Sequence, residues 1–286
     1  MPSLALKHLQ TYRNRTFRQS PSLRLKTKEQ AVAFVNERGF IYFWPISGVT
    51  LPSLWVAAAG DRPVADAHDD PGHVTWGWKD SLLGARKWYY AKVLRKKATI
   101  IALDVAPYFY ALSENYGDPN VDYLLLHEQG LLTQEAKQVY EALLHEGALD
   151  SVALRKAARL SSRESDSRFN KALEDLQADF KILPVGVAQA GAWRYAFIYD
   201  IVTNHYPQLP EEARPITQRA ARRKLAELYF RSVGAAQMRD VVKLFGWKHA
   251  DVEKVIADLT QAGVLQRALS LAGQTGEWIA VAELKR

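Results

Sequence analysis

The sequence of 286 residues contains no cysteine. That absence excludes disulfides, thiolate zinc sites, iron–sulfur clusters and a cysteine nucleophile together. Long apolar runs are missing too. No stretch approaches the roughly 18–20 residues of a membrane span, and the N-terminus lacks a signal-peptide hydrophobic block. These absences predict a cytoplasmic protein with no membrane partner. The Gly-x-x-x-x-Gly-Lys-Ser/Thr, Gly-x-Gly-x-x-Gly and Gly-x-Ser-x-Gly patterns do not occur, so nucleotide hydrolysis, dinucleotide binding and serine esterase chemistry have no support, and no cofactor is expected.

Acidic residues are absent from one place in particular. Residues 1–28 carry Lys7, Arg13, Arg15, Arg18, Arg24, Lys26 and Lys28 and no Asp or Glu, and this segment accounts for the whole net charge of +7. A neutral body with a cationic front end is the arrangement of an arm that neutralises phosphates. The alternative is an exposed tail that serves only solubility.

At 24% charged and 48% hydrophobic residues the chain reads as globular, long enough for two or three domains. Thr27-Lys28-Glu29-Gln30 is a capping-box pattern ahead of a helix that ends at Gly39. Helices are expected from about 52 to 59, 78 to 90 and 107 to 115. Val93–Arg95 and Ala98–Ile101 read as two short strands around the basic turn Lys96-Lys97.

After residue 131 the organisation is clearest. Helices closed by Gly147, carrying Leu154 and Ala158, and carrying Phe169, Leu173 and Leu176 precede two strands, Phe180–Val187 and Trp193–Ile198. The same parts recur with helices closed by Gly234, Gly246 and Gly263, then strands around Gly273 and Gly276. Three helices and a two-stranded wing are the parts of a winged helix-turn-helix. The expected fold is therefore mainly α with small β wings (α+β). It comprises an N-terminal winged-helix-like domain with the basic arm (1–130) and two winged helices (131–208 and 216–286), joined by a proline-rich linker at 206–215.

Winged helices commonly lay the third helix in the DNA major groove. That helix would present Arg163, Arg168 and Lys171 in one repeat and Lys248 and Lys254 in the next, although Glu164, Asp166, Glu174, Asp251 and Asp258 give both a mixed-charge face. With Lys7, Arg13, Arg15 and Arg18 of the front end and Arg95, Lys96 and Lys97 of the basic turn, these form the candidate contact set for double-stranded DNA. The segment Asp66–His73 has oxygen and imidazole ligands but no zinc spacing, and its prolines and Gly72 describe a polar turn. Phe40–Trp44 is aromatic on both alternating faces; core packing is the ordinary explanation, and a base-stacking platform is the sharper one.

The stretches Ala221–Leu225, Tyr229–Ala236 and Asp240, with Arg38–Pro45 and Leu51–Gly60, resemble the YcaQ/AlkZ family of tandem winged-helix DNA glycosylases. The resemblance implies three winged helices, double-stranded and damaged DNA as partner, and removal of alkylated or crosslinked bases. The family's catalytic signature is Gln, an apolar residue, then Gln or Asp. The matching positions here are Tyr42 and Trp44, and a phenol and an indole cannot act as carboxamide or carboxylate. The family's Arg-Gly-Thr-Leu-His run is reduced to Lys97-Ala98-Thr99-Ile100-Ile101. Catalytic residues are therefore unassigned and activity is left open, while Tyr42 and Trp44 become candidates to stack on a base. A sequence-specific transcription regulator without enzymatic activity is the alternative.

Overall fold

The computed structural model describes residues 3–115, 118–191 and 193–285. It is an α+β structure of helices and three small, mainly antiparallel sheets. The chain divides into two compact units that interleave in sequence. One holds Met1–Lys79, Thr99–Val105 and Gln218–Arg286, the other Asp80–Ala98 and Ala106–Thr217.

In the second unit, helix Gln134–Glu146 is followed by strand Leu149–Asp150, helices Ser151–Ala157 and Asp166–Ala178, and strands Ile182–Ala188 and Ala196–Ile201. The last strand lies between the other two. The helices start where side chains satisfy orphan N–H groups: Thr133 accepts from Ala136, and Asp150 accepts from Val152 and Ala153. Their apolar faces meet in one core of Val139, Leu143, Leu154, Leu176 and Ile182.

The first unit repeats this order in helix Gln218–Val233, strand Ala235–Ala236, helices Met238–Phe245 and His249–Gln261, and strands Leu265–Leu271 and Gln274–Val281. Again the last strand is flanked by the other two. A third run along the chain has the same sequence of elements: helix Lys28–Arg38, strand Phe40–Tyr42, helices Leu54–Ala59 and Val74–Leu83, strands Tyr89–Lys92 and Ala98–Ile101.

The basic front end is not an arm. Ser3–Leu4 adds a parallel strand to Ser270–Leu271, and Leu6–Thr16 is a helix with Leu9 and Tyr12 buried. Tyr12 donates its hydroxyl to the Arg231 carbonyl at 2.8 Å and to Glu283 at 3.1 Å. Burial, helped by Glu283, pushes the phenol up to about 12. Gly234 (φ +76°) permits this docking twice over: it closes the preceding helix, and a Cβ there would come within 2.7 Å of the Tyr12 ring. The sequence pattern missed this because seven like charges obscure an apolar stripe of only Leu9, Tyr12 and Thr16.

Three local expectations also shift. The helix expected at 78–90 runs from Val74 to Leu83, and Tyr89 and Tyr90 belong to a strand, where their buried rings override the helical pattern. Val93–Arg95 is not a strand. The turn there uses positive φ at Arg95 and Lys96, which the absence of Gly had concealed. The helix expected at 107–115 covers only Ala106–Tyr110.

The proline-rich segment 206–215 is folded and not a linker. Pro210 sits in the first turn of helix Leu209–Ala213, where a missing N–H costs nothing, and Tyr206, Leu209 and Ala213 are buried. Beside it, His205 is 8% exposed and its Nε2 has no hydrogen-bond partner. Desolvation, with Arg86 nearby, lowers its pKa below the ordinary 6.5. In the unfolded chain the ring binds a proton near 6.5, whereas the folded protein refuses it until lower pH. Stability is therefore complete above about 6.5 and declines as pH falls toward the depressed folded value. Thermal unfolding from pH 7.5 to 5.5 should show a steeper loss for the wild type than for His205→Asn. Parallel curves would remove His205 as the acid-sensitive group.

Candidate nucleic-acid interface

Tyr42 and Trp44 lie on and just after strand Phe40–Tyr42. Its register is Phe40 against Ile101, Ile41 against Ile100 and Tyr42 against Thr99. The Tyr42 N–H donates to the Pro52 carbonyl at 2.9 Å, and the Phe43 carbonyl accepts from Trp55 N–H at 3.1 Å. These bonds fix both ends of the segment. Tyr42 is 0% exposed, so it cannot stack on a base without unpacking the core, and that part of the stacking expectation is corrected.

Trp44 is half-buried and heads a cluster of rings. Its centroid lies 5.3 Å from Trp55, 6.0 Å from Trp76 and 6.2 Å from His73. Trp76 is 39% exposed, so the cluster reaches solvent. The buried Lys79 ammonium stands 4.8 Å from the Trp76 centroid, and the Arg62 guanidinium 4.9 Å from that of Trp55. The cluster is thus electron-rich and already attracts cations.

The loop beneath it is the polar turn expected from the sequence. Asp70 accepts from Arg62 at 2.5 Å and from the Gly72 N–H at 2.7 Å, contacts that hold its carboxyl below the ordinary carboxylate range. His73 Nε2 donates to the Ala65 carbonyl at 2.9 Å. Among the described residues no group of His, Asp and Glu could hold a metal ion.

The candidate DNA contacts separate into two classes. Arg13 is engaged inside the fold: its guanidinium donates to the carbonyls of Val233 at 3.0 Å and Ala235 at 2.9 Å. Those two bonds make it a structural anchor and not the free phosphate contact expected, and desolvation lowers its pKa. Arg18 pairs with Glu37 at 2.6 Å, Arg168 with Glu135 at 3.0 Å, Lys171 with Asp175 at 3.0 Å, and Lys96 also with Asp175. Such surface pairs contribute about 0–1 kcal/mol. Lys7, Arg15, Arg95, Arg163, Lys248 and Lys254 are exposed and form no ion pair with a described carboxylate; Lys97 is also exposed, on the turn before Ala98–Ile101.

The mixed-charge face of the third helices has a physical resolution. On His249–Gln261, Asp258 takes two hydrogen bonds from Arg219 at 2.7 and 2.8 Å, and Glu253 takes two from Arg267 at 2.5 and 3.4 Å. Asp251 lies 3.8 Å from Arg222. The Arg219 contact holds Asp258 below its ordinary value. On Asp166–Ala178, Glu174 pairs with Lys92 at 2.8 Å and Asp166 with Arg155. Burial opposes ionisation of Asp175, but Lys96 and Lys171 outweigh it and lower its pKa. The acids of these faces, except the exposed Glu164 next to Arg163, are paired, mostly from neighbouring elements, which leaves Lys248 and Lys254 as uncompensated charge on the second repeat.

No helix among the described residues is long and apolar enough to cross a membrane. No curated protein sequence matches the chain. Among solved structures, the Streptomyces sahachiroi DNA glycosylase AlkZ is similar in fold, with a TM-score of 0.60 at 12% identity over 98% of this chain and 71% of that one. Residues 25–246 match the family described as AlkZ related, a span that includes the Phe40–Tyr42 strand, the ring cluster and helix Asp166–Ala178, and ends before helix His249–Gln261. The chain belongs to the AlkZ-related family.

Proposed function

We propose that this protein binds double-stranded DNA, preferentially damaged or distorted, through three winged helices, and that it does not excise bases with the family's water-positioning groups. The three runs of helix, strand, two helices and two strands support the modular reading, with boundaries near 1–130, 131–208 and 216–286. Similarity to a DNA glycosylase supports DNA as partner and damaged DNA as target.

The observation that carries the second half is the enclosure of Tyr42. Hydrolysis of an N-glycosidic bond needs a group that orients water or offsets the cationic sugar. At the matching positions stand a fully buried phenol and an indole that offers only a donor N–H. Trp44 retains a use: its electron-rich face favours a cationic alkylated base by about 0.5–2 kcal/mol.

The test uses the full chain with duplexes that carry a single N7- or N3-alkylpurine. Gel shift should show binding, and alkali treatment should reveal no abasic-site cleavage above background. Release of the base overturns the non-catalytic reading. A preference of 10³-fold or more for one undamaged sequence over unrelated duplex would replace damage recognition with transcriptional regulation.

A further inference from the structure

The hairpin between strands Ile182–Ala188 and Ala196–Ile201 ends in an indole that nothing covers. Trp193 is 91% exposed, far more than any other large apolar side chain described. The sequence pattern had placed it at the start of a strand, but it stands before that strand, in the turn. Gly191 has φ +76° and Arg194 φ +50°, and the Arg194 N–H donates to the Gly191 carbonyl at 3.1 Å. A non-glycine residue held in the left-handed region costs roughly 1–2 kcal/mol. Trp193 thus stands in solvent beside a backbone position that carries strain.

The surroundings are apolar and cationic. Arg194 is the sole charged residue between Lys181 and Asp200. A Cβ on Gly191 would lie 3.6 Å from the Val152 side chain, so the tip adjoins the first turn of helix Ser151–Ala157. Val152 is 52% exposed, and Lys156, one turn along on the same face, is exposed as well. The nearby Asp150 is occupied by the N–H groups of Val152 and Ala153.

We propose that Trp193 is a wedge that stacks on a base at an unstacked or abasic step of duplex DNA, with Arg194 against the adjacent backbone. The inference rests on the DNA-binding reading. An apolar side chain on a protruding hairpin is the means by which proteins part base steps in the minor groove, and an indole stacks on any base because every base has a π-face. A cationic neighbour fits a polyanion, the nearby acids Asp80 and Asp150 being held by the Tyr195 hydroxyl and by backbone N–H groups, and a step that is already unstacked removes most of the cost of insertion.

The experiment compares the wild-type chain with Trp193→Ala and Trp193→Phe on an intact duplex and on one with an abasic analogue beside 2-aminopurine. Trp193→Ala should lose about tenfold in affinity for the abasic duplex, the order of one base–aromatic stack, and less for the intact one. The log–log salt slope should stay unchanged, because an indole displaces no counterion. Quenching of 2-aminopurine should vanish with alanine and return in part with phenylalanine. Equal affinity and quenching for wild type and Trp193→Ala, with wild-type binding intact, overturns the wedge and leaves the DNA reading standing. Failure of the wild type to bind any duplex sinks that reading first. A change of sedimentation mass on Trp193→Ala would make the ring a protein contact and also overturn the proposal.

Discussion

Arg13→Ala should lower stability by about 2–4 kcal/mol, while Arg15→Ala, two residues along the same helix, should change it by less than about 0.5 kcal/mol. The difference follows from what each guanidinium touches. Arg13 donates to the carbonyls of Val233 and Ala235, which flank the turn where helix Gln218–Val233 passes into strand Ala235–Ala236. The last carbonyls of a helix have no partner of their own, and truncation leaves them desolvated. Arg15 is exposed and lies 5.4 Å over the Tyr12 ring, where alanine removes only a weak surface contact. Thermal unfolding reads the first effect, and duplex affinity the second: Arg15→Ala should weaken binding to any sequence, with little change in melting. A stable Arg13→Ala protein with weakened DNA affinity would return this helix to the role of an arm.

The order of helices and strands after residue 131 was largely legible because it depends on local signals. Thr27, Ser53 and Thr133 cap the helices that follow them, and Gly147, Gly234 and Gly246 end others. What stayed hidden was long-range. Nothing in residues 1–28 announces that Ser3–Leu4 will pair with Ser270–Leu271, since one short strand has no periodicity of its own. The prolines of 206–215 advertise a linker, and only the burial of Tyr206 and Leu209 makes the segment part of a core. At the candidate site the sequence identified Tyr42 and Trp44 but could not separate them. The backbone pleat and the Pro52 carbonyl seal the first, while the second follows the strand and meets other rings at the surface. Charge was the least legible property, because pairing partners come from distant elements, as with Arg219 and Asp258 or Lys92 and Glu174.

That redistribution of charge sets the largest measurable effect. Net charge alone assigns the attraction to seven front-end cations, of which Arg13 is structural and Arg18 is paired. Among the candidate DNA contacts, the exposed ones without a described carboxylate partner are spread along the chain: Lys7, Arg15, Arg95, Arg163, Lys248 and Lys254. If all of them neutralise phosphates, duplex affinity should fall with a log–log salt slope of about −5, roughly 10³-fold between 50 and 200 mM salt. If Arg18, Lys96, Arg168 and Lys171 also trade their acids for phosphate, the slope steepens to about −9, since each exchange costs only about 0–1 kcal/mol. Titration by fluorescence anisotropy across that salt range separates the two regimes. Replacing Lys248 and Lys254 with glutamine should lower the slope by about 2 if the His249–Gln261 helix lies on the duplex, with equal losses for all sequences. An unchanged slope would remove that helix from the interface, and a wild-type slope near zero would show that phosphate neutralisation does not drive binding at all.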